Sequence, residues 1–100
     1  MLKNNEVRFI IYKKGSSWQG VVLDFNIVEV HKDPNTALFN LIEAITGYIE
    51  TAMKNNIPIS SLQQTPDKKY EVIWKNLNKQ TPQETNNEVY MFGKKRLITV

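Results

Sequence analysis

The spacing of apolar residues switches at Asp33-Pro34 from the strand pattern to the helical one, and that switch most constrains the fold. Before it, apolar residues come in short β-branched and aromatic runs. After it, they recur every three or four residues. Short runs of the first kind need a sheet, and the second pattern needs a helix lying on that sheet. Residues 6–13 and 18–25 read as two strands joined across Lys14-Gly15-Ser16-Ser17. Asn26 supplies a tight turn, and residues 27–31 read as a third strand. Asp33 then stands as an N-cap with Pro34 at the first helical position. Leu38, Leu41, Ile42, Ile45, Tyr48, Ile49, Ala52 and Met53 follow at helical spacing, which predicts a helix over 34–54. Asn55-Asn56 and Pro58 stop it.

A second cap, Thr65-Pro66-Asp67, opens a shorter helix predicted over 66–78, with Tyr70, Ile73, Trp74 and Leu77 on one stripe. Residues 79–87 read as a polar loop. Residues 88–100 read as one strand or as two around Gly93-Lys94-Lys95. The expected fold is α+β and two-layered. A three-stranded antiparallel meander and a long helix form a β-β-β-α module over 1–58. Residues 59–100 form a C-terminal extension, a short helix and one or two strands, packing on the same domain. Strand alternation assigns Val7, Phe9, Ile11, Val21, Leu23, Phe25, Val28 and Val30 to the face under the long helix. Ile10, Tyr12, Trp18 and Val22 then share the opposite face, too apolar for open water. The second helix, the C-terminal strands, a second copy or a partner must cover it. Gly47 inside the long helix costs about 1 kcal/mol against Ala, so a close neighbour is expected there.

Composition narrows the chemistry. One hundred residues make one domain. With no cysteine and His31 as the single histidine, disulfides, thiolate clusters, a cysteine nucleophile and multi-histidine metal sites within one chain are excluded. Gly15, Gly20, Gly47 and Gly93 are isolated, so no phosphate loop is present. Asp24 and Glu29 lie on strands and Glu43 and Glu50 on the solvent side of the helix, so a metal-dependent nuclease, which needs converging acids, is disfavoured. No catalytic, metal or cofactor residue is expected. No apolar run approaches the roughly 20 residues of a membrane span, and residues 1–5 turn polar at once, so a cytoplasmic protein is expected. Residues 1–50 carry five basic and six acidic side chains, residues 51–100 eight and four. The basic half ends in Lys94-Lys95-Arg96 beside Tyr90 and Phe92, which makes that triad the candidate nucleic-acid contact; ordinary edge protection is the plainer reading. Tyr12, Trp18, Val22 and Phe39 are the candidate partner or dimer interface, since aromatic residues dominate interface hot spots.

Residues 6–58 carry a wider pattern. Trp18, Gly20, Val21 and Val22 lie on strand two, Asp33 at the cap, Glu43-Ala44-Ile45 and Tyr48-Ile49-Glu50 in the helix, and Ile57-Pro58 after it. This set resembles the HicB-like antitoxins of bacterial toxin–antitoxin systems. The resemblance implies a HicB-like, partial ribonuclease H-like fold. It also implies a non-enzymatic homodimer that binds and occludes a small mRNA-cleaving toxin. The alternative is a nucleic-acid-binding transcriptional regulator that uses the basic C-terminal half.

Overall fold

The structure, a computed structural model, describes residues 5–78 and 88–97. Four antiparallel strands, β1 (Glu6–Lys14), β2 (Ser17–Val22), β3 (Ile27–His31) and β4 (Val89–Arg96), form one sheet in the order β3-β2-β1-β4. Two helices, α1 (Pro34–Lys54) and α2 (Lys68–Asn78), accompany it, with single 3-10 turns at Leu23–Phe25 and Ile59–Leu62. The α+β class and the β-β-β-α order agree with the sequence reading, and β3 and α1 have the expected ends. Gly15, at φ 64°, makes the two-residue turn between β1 and β2, where the left-handed region favours glycine. The Asp33 side chain accepts the Thr36 N–H at 2.9 Å and caps α1, a contact worth about 1 kcal/mol.

The two-layer expectation needs correcting. The sheet is buried on both faces. Val7, Ile11 and Val22 pack with Ala37, Leu41, Ile45, Ile49 and Ala52 of α1. Ile10, Tyr12, Val21 and Leu23 pack with Tyr70, Ile73, Trp74 and Leu77 of α2. The helices therefore lie on opposite faces, and residues beyond 58 supply both the second helical layer and the strand beside β1.

The assignment of faces also changes. Phe9 pairs with Val22 and Ile11 with Gly20, while Ile10 pairs with Val21 and Tyr12 with Gln19. Directly paired residues share a face, so Trp18, Gly20 and Val22 look toward α1 and Gln19 and Val21 toward α2. On β3, Ile27, Glu29 and His31 follow Val22, Gly20 and Trp18 to the α1 side. Val28 and Val30 face the other way, where they stay 40% and 58% exposed. The expected grouping of Tyr12, Trp18 and Val22 on one face does not exist.

Residues 89–96 form one strand that runs straight through Gly93 rather than turning there. β4 pairs with β1 along its length, with a bulge where Ile11 pairs Met91 but Tyr12 pairs Val89. The expected loop over 79–87 and the strand reading of 98–100 lie outside the described residues. No described atom would come within 4 Å of a Cβ at Gly47, so the close neighbour expected there is not supplied by the described chain. No helix among the described residues is long and apolar enough to cross a membrane.

Candidate functional site

Most polar side chains enclosed by the fold serve the fold. After Val22 the chain leaves the sheet in a 3-10 turn, and Asn26 closes that turn at φ 54°. Arg8 of β1 is left with an N–H pointing where β2 no longer runs. The Asp24 carboxylate takes over, accepting the Arg8 backbone N–H at 2.8 Å and its guanidinium at 2.7 Å. Glu71 of α2 takes the other end of the guanidinium at 2.6 Å, and the Trp74 ring lies 5.7 Å beneath it. The hydrogen bond to Asp24, against the cost of burial and with Glu71 adding, holds Arg8 charged well above the usual range. The Gln64 N–H donates to the Asp24 carbonyl at 2.7 Å, tying the 59–67 segment to the same point. Asp24 is thus neutralised and on the α2 side, whereas Glu43 stands exposed on α1, across the sheet. Among the described residues no three His, Asp or Glu side chains are grouped to hold a metal.

His31 is held in the same way. Its Nε2 lies 3.1 Å from Asn40 Nδ2 and 3.3 Å from Glu29 Oε1, which links the end of β3 to α1. Tyr12 donates its hydroxyl proton to Gln19 inside the α2-side core. Burial, with the charge and hydrogen bond of Tyr70 adding to it, pushes the Tyr12 phenol from its ordinary 10.0 up to about 12. A phenol is neutral below its pKa, so this raised value leaves stability intact up to the unfolded value near 10. Stability is then lost as pH rises through 12. We expect the urea midpoint to fall between those values, by about 1.4 kcal/mol of unfolding free energy per pH unit. The slope should shrink in Tyr12→Phe, and an equal slope in both proteins would show that Tyr12 is not its source.

The candidate interface residues separate. Tyr12 is 4% exposed and Val22 0%, one in each core. Trp18 is half-buried against Tyr90 of β4, with ring centroids 6.0 Å apart, and Lys13 lies over its ring. Tyr90 reaches that position from the bulge, and its hydroxyl donates to Asn35 of α1. Trp74 meets Phe92 edge-on at 5.9 Å. Phe39 differs from all of these at 64% exposed, the most of any large apolar side chain described. The basic triad also divides. Lys95 pairs with Val7 on the α1 side, while Lys94 and Arg96 pair with Arg8 and Glu6 on the other. Their side chains alternate between the two faces of the strand, so the three do not present one cationic face.

Two surfaces remain as candidate sites. The first is a ridge on α1. Phe39, Glu43, Thr46 and Glu50 are all exposed and stand at i, i+4, i+7 and i+11, one side of the helix. The sequence reading singles out Phe39 as an interface residue, but it places Glu43 and Glu50 in the HicB-like pattern and weighs them as metal ligands without joining them to Phe39. Their helical spacing from Phe39 was the available signal. The second is a groove of about 440 Å³ between α1 and β4, with Phe9, Leu38, Ile42 and Met91 in its lining and Lys94–Arg96 along its rim. The sequence reading missed this groove, because it depends on β4 pairing with β1. Comparison of the chain with family models, with curated proteins and with solved structures finds no match to any of them.

Proposed function

We propose that this chain is a non-enzymatic, HicB-like, cytoplasmic interaction protein that binds a small mRNA-cleaving toxin and occludes its active site. The observation that carries the proposal is the α1 ridge, an exposed Phe39 flanked by Glu43 and Glu50. A protein that holds RNA presents cationic side chains to the phosphates. An aromatic anchor with acidic neighbours complements such a surface, and covering it blocks RNA. The residues that resemble the HicB-like set support the same reading, because Gly20, Val22, Asp33 and Ile45 build the sheet and helix that present the ridge. The enclosed polar groups support it too, since Asp24, Arg8 and His31 are engaged within the fold. The proposal takes the fold as the partial ribonuclease H-like one.

The test uses the small protein encoded by the adjoining reading frame. The two chains should form a complex that stops this protein from cleaving mRNA. Phe39→Ala should weaken the complex by about 30-fold, the scale of an interface hot spot, with Glu43→Lys and Glu50→Lys acting in the same direction. Their unfolding midpoints should match the parent, because the replaced side chains are exposed. An adjoining product that neither binds nor cleaves RNA, or binding that survives all three substitutions, removes the reading.

A further inference from the structure

β4 is an outer strand of the sheet, and among the described residues nothing pairs with its far side. The Leu97 N–H donates to the Asn5 carbonyl at 2.7 Å. In an antiparallel ladder bonded and non-bonded pairs alternate, so Met91, Gly93 and Lys95 bond to β1. The backbone groups of Phe92, Lys94 and Arg96 therefore point outward. Tyr90, Met91 and Phe92 are 43%, 42% and 41% exposed, clustered at one end of the strand with Glu88 just before them. All the cations of the strand, Lys94, Lys95 and Arg96, stand at the other end.

We propose that β4 pairs with β4 of a second copy, antiparallel about a two-fold axis at Phe92, to give one eight-stranded sheet. In this register Phe92 faces Phe92 and the two exchange their outward backbone hydrogen bonds. Met91 of the second copy faces Gly93. Gly93 is bare on that face, and the Phe9 ring lies 3.5 Å from where its Cβ would be. The long Met91 side chain of the second copy then has no side chain opposite it and lies beside that Phe9 ring. Glu88, allowing for the bulge at Tyr90, falls against the Lys95-Arg96 end of the other strand. Moving the axis to residue 94 or 95 sets like charges face to face. Parallel stacking sets Lys94-Lys95-Arg96 against itself. The edge charges that ordinarily prevent pairing here exclude open-ended stacking and leave a closed pair. This inference does not depend on the antitoxin-like reading.

Light scattering over a concentration series tests it. The parent should reach twice the mass of one chain. Glu88→Lys should stay single, as should the double variant Lys95→Glu with Arg96→Glu, and the triple charge exchange should pair again. Glu88 is exposed, so circular dichroism should show the fold unchanged. Phe92→Cys, in a chain with no native cysteine, should cross-link to itself on oxidation, because bonded antiparallel pairs hold Cα atoms about 5.5 Å apart. A parent that stays single at every concentration overturns the proposal. So does a Glu88→Lys protein that pairs as before, a triple variant that stays single, or the absence of the self cross-link.

Discussion

Asp24→Ala should lower the free energy of unfolding by about 2–4 kcal/mol, the largest loss expected from any polar residue described. The carboxylate side chain is 8% exposed and does two things at once. It accepts the Arg8 N–H, which no strand partner reaches once the chain has turned out of β2. It also accepts the Arg8 guanidinium at two nitrogens. Its removal leaves a half-buried cation and a sheet-interior N–H without their main acceptor. Glu71→Ala removes the other carboxylate of the same network, but that side chain is 34% exposed and accepts from the Arg8 guanidinium rather than from the Arg8 backbone N–H. Its loss should be about 1 kcal/mol or less. Urea unfolding of the two variants separates the cases. Equal losses would mean that the guanidinium charge matters and the end of the β-ladder does not.

The same residue shows what the sequence made legible. Residues 18–25 look like one strand, and the i, i+2 set Val21, Leu23 and Phe25 looks like one face of it. The strand ends at Val22, however, and the next three residues coil. Leu23 then falls in the α2-side core and Phe25 in the α1-side core. No local signal reports this, because both faces of β1 and β2 are buried. A strand covered on both sides is apolar throughout, and alternation says nothing about which side is which. Doublets such as Ile10-Ile11 and Val21-Val22 are the mark of that situation. Each doublet puts one apolar side chain on either face, so each face needs a helix over it.

Where only one side of an element is buried, the sequence was informative. α1 begins where Asp33-Pro34 places it and buries Leu41, Ile45, Ile49 and Ala52 from the expected stripe. Phe39, off that stripe, is exposed as its position requires. β4 was ambiguous for a different reason. Gly93-Lys94-Lys95 has the composition of a turn, and its pairing with β1, more than 80 residues earlier, overrides local preference. The groove and the free edge follow from that one long-range pairing, so neither was visible in the sequence.

Gly20→Val should cost about 2–3 kcal/mol and shift α1, and the glycines of this chain supply its control. A Cβ at Gly20 would lie 3.1 Å from the Ile11 Cδ1 atom, 3.4 Å from the Leu41 Cδ2 atom and 3.5 Å from the Ala37 carbonyl oxygen. The first two contacts are the ends of side chains, which can rotate away. A single methyl group is therefore tolerable, and Gly20→Ala should cost less than valine. The third contact is helix backbone. Valine sends two further methyl groups toward it, and a backbone carbonyl yields only if α1 as a whole moves off the sheet. That movement would carry Phe39, Glu43 and Glu50 with it, so valine should weaken partner binding as well as folding. At Gly47 a Cβ meets no described atom within 4 Å. Gly47→Ala therefore removes only the backbone freedom of the unfolded chain and should stabilise by about 0.5–1 kcal/mol. Thermal unfolding of the three variants decides the point. If Gly20→Val melts with the parent, α1 does not rest on β2 at Gly20. If Gly47→Ala melts lower, a neighbour occupies the open side of the helix.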